Sequence, residues 1–544
     1  MLTPDFVNHG IVRPVFGVEC FHEKCNPAIV QMPHSDTLDM IRSVANSHVR
    51  MTIARDGWGY MRRFAFAVLL LVASQTMANI GDSRGKFVQR IDDDVWAVLH
   101  RTETPGATIL VLRDGHRLYC HAYGFRALDG QLPASMDTHY EIGSITKQFT
   151  AAAILQLQDA GKLNIDAKVS TYLPDAPHAG QITLRQLLTH TSGLPDYIGL
   201  SSDEQATKSA TFQQLMDVVA DKPLDFRPGS RASYSNTGYI LLGRIIELTS
   251  RESYRQYVRA HLLQPAGMTQ TFTVADEPSL PTMAKGYRHA NGKLEHGLTI
   301  NDSYGWSAGN IVSTVGDLEK WNEALTSGKI VPMADYALMM TPQITTAGEN
   351  SGYGFGLFID TVNGQSRIGH TGGSYGFTAA NFYFPEQKLR IIALTNNVDV
   401  PEPGEMLTNA IFNDLYPDLA RAATRPAPHE DLAVTSKVKT AFEHLQKGTD
   451  DASLFGASLN AKMKTSLAKH MADEYGPYGA PTAFVFRGRR SDGGKNWSDY
   501  LTFASASSAT LNLSVLPGPN SIRQRHRGPW RCLTPRGWRG CSRA

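Results

Sequence analysis

The sequence predicts an α+β fold: an antiparallel sheet flanked by helices, with an inserted helical subdomain, plus a small C-terminal α+β domain. Three observations predict it. Strand-like runs sit near both ends of the main segment, at 107–124 and again at 354–395, while 165–350 reads mainly as helices and loops. A Pro- and Ala-rich stretch, Arg421–His429, then sets off a further segment of mixed character. A sheet completed by distant segments, with helices inserted between them, leaves a cleft at the junction.

Taken in order, Ala107–Leu112 and Arg117–Gly124 flank Asp114-Gly115, a pair favoured in two-residue hairpin turns because both positions need positive φ. Glu141–Ala160 is rich in Ala, Ile, Leu and Gln and reads as a helix that Gly161 stops. Its apolar residues lie all round, so it is expected to be buried. Thr183–Leu188, Thr211–Ala220 and Gly238–Leu248 follow as helices. Strand character returns at Gly354–Ile359 and Ser366–Gly369. Phe377–Phe384 and Leu389–Thr395 form a second hairpin around Pro385–Lys388, and a helix covers about 404–416. The expected domains are 79–418 for the main body, 419–430 for a linker and 431–504 for the small added domain. No internal repeat is evident.

The two ends differ in composition from this body. From Met61, two arginines precede ten apolar residues, Phe64–Ala73, and Thr76-Met77-Ala78 offers small residues at a cleavage site. The order is that of a secretory signal peptide over 61–78, and ten apolar residues are too few to span about 30 Å of hydrocarbon. The expected location is therefore periplasmic or secreted, with no stable membrane anchor. Because a signal peptide works at an N-terminus, residues 1–60 read as an extension of doubtful origin. Cys20 and Cys25 with His22 lack a second ligand pair at structural zinc spacing. Residues 505–544 contain no Asp, Glu or Lys, and seven arginines crowd the region from Arg523 to Arg543, so this tail is doubtful too.

The chain as a whole carries 53 Lys+Arg and 51 Asp+Glu, but residues 79–522 hold 39 basic and 45 acidic residues, a net of −6. A mildly acidic body speaks against nucleic-acid binding by bulk electrostatics. Of the five cysteines only Cys120 lies in the body, so no disulfide is expected within it.

Three short motifs carry the chemistry. In Ser144-Ile145-Thr146-Lys147 the i and i+3 side chains share a helix face, so the hydroxyl can meet the amine. Serine is a weak nucleophile until a base takes its proton. Burial and the positive end of a helix would both favour a neutral, basic Lys147. Tyr234-Ser235-Asn236 follows on a loop. A tyrosine there can shuttle protons, and Asn236 can donate to a substrate carbonyl while accepting from Lys147. His370-Thr371-Gly372-Gly373 comes after an apparent strand. Glycines at a strand edge let a substrate backbone come close, and the N–H groups of Ser144 and Gly373 can form an oxyanion hole. Singly, each motif is also what a helix N-terminus, a half-buried turn tyrosine or a Gly-rich turn would show.

Together, in this order, the motifs resemble the serine β-lactamase and penicillin-recognising superfamily, in its class C-like branch of D-Ala-D-Ala peptidase and esterase relatives. EIGSITKQFTAAAILQL, LLTHTSGL (187–194), YSNTGYILLG, SAGNIVSTVGDL (307–318) and GYGFGL (352–357) extend the likeness over roughly 90–415. The resemblance implies that Ser144 is acylated, that Lys147 and Tyr234 share the general-base work, and that Tyr234 protonates the leaving group. It implies that Asn236 positions the acyl group and that His370, Thr371, Gly372 and Gly373 bind substrate. His190, Ser192, Asp317 and Trp321 read as structural. No metal constellation is seen, and this route needs no cofactor.

His370 stands where lactamases of this kind usually have Lys. Phe358 occupies the place where related peptidases put Arg after the GYGxGL stretch, with Arg367 the remaining candidate cation. The expected function is an exported serine hydrolase acting through an acyl-enzyme on a small ester, amide or peptide, esterase-like or D-amino-acid peptidase-like in preference to an efficient β-lactamase. The alternative is a non-catalytic cell-wall or β-lactam sensor using the same cleft.

Overall fold

The computed structural model describes residues 85–526 apart from short gaps, the longest of them 452–467. The expected signal segment 61–78, the extension 1–60 and the end of the Arg-rich tail lie outside the described residues.

The segment opens with a helix not foreseen from the sequence, α1 (85–101). Strands β1 (Gly106–Arg113) and β2 (His116–Ala127) follow as the expected hairpin, and Asp114 and Gly115 take φ of 51° and 78°. A short β3 (Leu132–Pro133) edges it. The sheet is completed from far along the chain by β4 (Phe358–Val362), β5 (Gln365–Gly373), β6 (Thr378–Phe384) and β7 (Leu389–Thr395). The order is β3-β2-β1-β7-β6-β5-β4, antiparallel throughout. The closure of distant segments is the β1–β7 pairing, from Ala107 opposite Thr395 to Arg113 opposite Leu389.

Both faces of this sheet are covered, which explains why its central strands are apolar at consecutive positions. On β1, Ala107, Ile109 and Val111 join Ile91 and Val95 of α1 and Leu407 and Phe412 of the helix Pro403–Leu415. Leu110 and Leu112 face the other way, into a larger core with α2 (Thr146–Asp159) and α3 (Asn236–Ser250). Trp321 lies in that core, stacked on Phe149 with ring centroids 3.9 Å apart and donating to Gln148. Asp317 accepts from Thr271 and pairs with Lys320.

Several boundaries differ from the sequence reading. The helix expected from Glu141 begins five residues later. Tyr140–Glu141 pairs with Ile311–Ser313, and Gly143–Ile145 forms a 3₁₀ turn ahead of α2. The His-Thr-Gly-Gly motif lies inside β5 rather than after it. The expected strand at 354–359 begins only at Phe358, because Gly352 and Gly356 take φ of about 70° and turn the chain there. Cys120 is disulfide-bonded.

Beyond the catalytic region, a helix Pro417–Ala423 runs into the expected linker. The helix Leu432–Lys447 buries Val438, Ala441, Phe442 and Leu445 against Phe486 and Tyr500. A four-stranded antiparallel meander follows: Pro481–Asp492, Lys495–Ala504, Thr510–Gly518 and Ser521–His526. The expected domain edge at 504 therefore falls inside a sheet, since 498–503 pairs with 510–515. The alternation in TLNLSVL (510–516) is the strand signal there.

Candidate active site

The site forms where the N-terminus of α2 meets the edge of β5. Two glycines permit the approach. Gly143 has φ of 48°, and a Cβ on it would lie 2.5 Å from the Gly373 carbonyl oxygen. A Cβ on Gly372 would lie 1.9 Å from the Ile142 carbonyl oxygen. Backbone thus packs directly on backbone, and the turn bearing Ser144 is held beside Gly373.

Ser144 sits in the 3₁₀ turn and Lys147 in the first turn of α2. The ammonium of Lys147 is fully buried and donates to Ser144 Oγ at 3.0 Å, to Asn236 Oδ1 at 2.7 Å and to the Ala308 carbonyl at 2.8 Å. All three acceptors are neutral. Burial therefore pushes Lys147 down to about 7, against the opposing pull of Asp196. Its nitrogen also lies 4.9 Å from the centre of the Tyr234 ring.

Asn236 opens helix α3 and is fixed from behind by Asp196, which accepts from its backbone N–H and from its side-chain amide, each at 3.0 Å. Burial raises the Asp196 carboxyl to about 6, with the Asn236 bonds and Lys147 pulling the other way. Asp196 was not foreseen. The signal was present, since Pro195-Asp196 directly follows the 187–194 stretch.

Tyr234 is half-buried on the loop before α3 and belongs to an aromatic cluster. Its ring centroid lies 4.1 Å from that of His190, 6.0 Å from Phe358 and 6.1 Å from His370. His190 is buried behind it and accepts from the Ser235 N–H at 3.2 Å, and desolvation drives its pKa well below the ordinary histidine value.

His370 lines the cleft with its ring held by two hydrogen bonds. It is 1% exposed, its Nε2 is 2.9 Å from the Tyr353 hydroxyl, and its Nδ1 is bonded to the Thr371 carbonyl. The neutral ring satisfies both bonds, with Nδ1–H donating and Nε2 accepting. A ring N–H can reach a substrate only if one of them breaks. Arg367 is not available either. It is buried with Asp360, Glu405 and Asn409, and its guanidinium lies 4.0 Å from the centre of the Phe382 ring.

A cleft with roughly 690 Å³ of space open to solvent joins these groups. Ser144, Tyr234, Asn236, His370, Thr371 and Gly373 all line it. Gly372 is instead packed against the Ile142 carbonyl. The far wall carries Tyr304, Gly305, Ala308 and Gly309, in a segment bent at Trp306, whose φ of 33° is unusual for a bulky residue. No group of metal-ligating side chains occurs among the described residues, and no described helix is long and apolar enough to cross a membrane.

Comparison with known proteins bears on the same segment. Residues 87–415 match the family model described as Beta-lactamase. The chain belongs to the Beta-lactamase family. It is 29% identical over 361 residues to Penicillin-binding protein 4* of Bacillus subtilis (strain 168), covering 63% of this chain and 80% of that protein. Among solved structures it resembles an octameric penicillin-binding protein homologue from Pyrococcus abyssi, with TM-score 0.55, 23% identity, and 81% and 98% of the two chains covered. A D-stereospecific amidohydrolase from Streptomyces sp. matches with TM-score 0.52 and 25% identity over 60% of this chain and 97% of that one. The expected sheet with its inserted helical region is the fold of these Beta-lactamase family relatives, and the chain is a serine hydrolase of that family.

Proposed function

We propose that this Beta-lactamase family member is an exported hydrolase that cleaves small esters or amides through an acyl-enzyme on Ser144. One observation carries the reading: a fully buried lysine with only neutral hydrogen-bond acceptors, 3.0 Å from the hydroxyl of Ser144. Near neutral pH a large fraction of Lys147 is uncharged and able to take the serine proton.

Ser144 Oγ attacks the substrate carbonyl carbon as its proton passes to Lys147. The oxygen that becomes anionic is met by the N–H groups of Ser144 and Gly373. Collapse expels the alcohol or amine, which takes a proton from Tyr234, recharged from Lys147. Water then attacks the acyl-enzyme with the same groups in reverse order, releasing the acid and restoring Ser144. The cleft wall offers no Arg or Lys among the described residues, so the reading favours an esterase or amino-acid amidase over an enzyme that grips a free carboxylate.

Comparing wild type with Ser144→Ala on p-nitrophenyl acetate, nitrocefin and a D-Ala-D-Ala peptide tests it. The expected result is turnover of the ester at a rate at least 10³-fold above the variant. Equal turnover by the variant would overturn the mechanism, and stoichiometric labelling of Ser144 without turnover would point to a sensor. Export rests on the segment 61–78. A secreted form whose N-terminus lies near Asn79 is the expected product, and one retaining residues 1–60 would count against it.

A further inference from the structure

The two N–H groups that meet the oxyanion come from distant parts of the chain, Ser144 and Gly373, and one side-chain hydrogen bond brackets them. Ser374, next to Gly373, donates its hydroxyl to the carboxyl of Glu141, three residues ahead of Ser144. Both side chains are buried. Each end of this bond is anchored. Glu141 pairs with Val312, and the next residue, Ile142, donates its N–H to the Ile311 carbonyl at 2.9 Å. The Ser374 N–H donates to the Phe377 carbonyl at 3.0 Å and closes a turn there. Between these anchors backbone lies on backbone. A Cβ on Gly143 would lie 2.8 Å from the Gly373 nitrogen, and one on Gly372 would lie 3.1 Å from the Ser144 nitrogen. Contact sets how near the two segments can come, and the Ser374–Glu141 bond resists their parting.

A second carboxyl governs the charge on Glu141. Glu277, in the 3₁₀ turn Val274–Ser279, lies against it, and the buried Oε1 of Glu277 meets no donor among the described residues. Two carboxyls in contact can hydrogen-bond only with a proton between them. Burial pushes Glu141 up to about 7, while burial and the neighbouring Glu141 push Glu277 up to about 9. The other charged groups facing the pair are Lys285, which pulls Glu277 down, and Asp302, which pushes it up. The pair titrates as a unit and keeps a proton through neutral pH.

We propose that Glu141 is a positioning residue for the oxyanion hole: through Ser374 it holds the Ser144 and Gly373 N–H groups at one separation, and Glu277 shares the proton that lets it stay there. The inference rests on the hydrolase reading and adds to it a residue that acts through another. Loss of the shared proton leaves two buried carboxylates in contact, which repel. Stabilisation of the oxyanion should therefore weaken as pH rises through about 9, on the opposite side of the profile from the Lys147 limb.

The experiment follows hydrolysis of p-nitrophenyl acetate from about pH 6 to about pH 10, with Ser144→Ala as the blank. Inhibition by phenylboronic acid is measured beside it, because a boronate adduct of serine is tetrahedral and puts an oxygen in the hole. In Glu141→Ala, kcat and boronate affinity should each fall about tenfold or more while KM changes less, since the lost interaction belongs to the transition state. Glu141→Gln keeps an accepting oxygen for Ser374 and should regain most of the loss. Wild-type kcat should fall as pH rises through about 9, and Glu277→Gln, which has no such proton to lose, should lack that limb. Unchanged kcat and boronate affinity in Glu141→Ala would overturn the inference, as would a Glu141→Gln variant equally impaired. So would an alkaline limb that is absent from wild type or the same in Glu277→Gln. The wild-type and Glu277→Gln profiles decide even if Glu141→Ala fails to fold. Any of these results alongside Ser144-dependent turnover defeats this inference alone. Absence of Ser144-dependent turnover in wild type defeats the hydrolase reading and this inference with it.

Discussion

Lys147 and Arg367 are two buried cations on opposite sides of one sheet, and their surroundings differ in a single respect. Arg367 reaches across β5 to the helix Pro403–Leu415 and is met by two carboxylates, Asp360 at 2.7 Å and Glu405 at 2.9 Å. Their charges and hydrogen bonds outweigh the desolvation that opposes them and hold its pKa above an already high ordinary value. Lys147, in the core on the other side, meets a hydroxyl, an amide oxygen and a backbone carbonyl. Desolvation wins there, and the proton becomes labile near neutral pH. The two faces of the sheet therefore hold one cation fixed for packing, on β5, and one released for chemistry, on α2, and the presence or absence of a directly bonded carboxylate separates them.

The comparison breaks first at Lys147. Lys147→Arg keeps a cation in place but one that does not deprotonate. The expected loss in kcat/KM on a neutral ester is roughly 10²- to 10⁴-fold, the usual range for a general base. In wild type kcat/KM should rise with pH through about 7, because the uncharged amine is the active form and its fraction grows as pH rises. That limb should be missing in the variant. A limb near pH 7 that survives in Lys147→Arg would assign the titration to another group. Circular dichroism is the accompanying check that the variant folds.

Arg367→Met tests the other side. Removing the cation leaves Asp360 and Glu405 facing each other, and the expected cost is about 2–4 kcal/mol in unfolding free energy. The full penalty of a buried pair does not apply, because the two carboxylates keep 20% and 28% side-chain exposure. Urea melts read the change. The position of the pH limb should not move, since Arg367 does not touch the cleft. A shift of the limb would show that the two sides are coupled through β5.

The sequence revealed what is local and hid what is assembled. Ser144 and Lys147 are three residues apart, so their meeting follows from helical geometry alone. The Asp114-Gly115 hairpin and the second hairpin before Lys388 are equally local, set by turn residues between apolar runs. By contrast, Glu141 and Ser374 are 233 residues apart, and only the packing of β5 on the turn before α2 brings them together. Arg367 illustrates the same limit. It lies three residues from His370 in the chain, yet odd and even positions of a strand face opposite ways, and its carboxylate partners come from β4 and a later helix. The neighbours of Glu141 favour a helix. Pairing with Ile311–Ser313 overrode that preference, and no window around residue 141 contains the partner strand.

Asp196 offers the smallest and sharpest test of how much charge the Lys147 side tolerates. Its carboxylate acts on Lys147 through space and on Asn236 through two hydrogen bonds. Asp196→Asn removes the charge and keeps one accepting oxygen. The plateau of kcat/KM should fall roughly three- to tenfold, matching about 0.7–1.4 kcal/mol for a weakened hydrogen bond to Asn236. The pH limb should move to lower pH, because the charge that helped retain the lysine proton is gone. The shape should change too. In wild type Asp196 itself protonates below about 6, so two groups govern the acid side of the profile. In the variant one group remains, and the logarithmic slope there should drop toward one. A limb that moves to higher pH would mean that Asp196 does not act on Lys147 by charge, and the contrast between the two buried cations would then need a different cause.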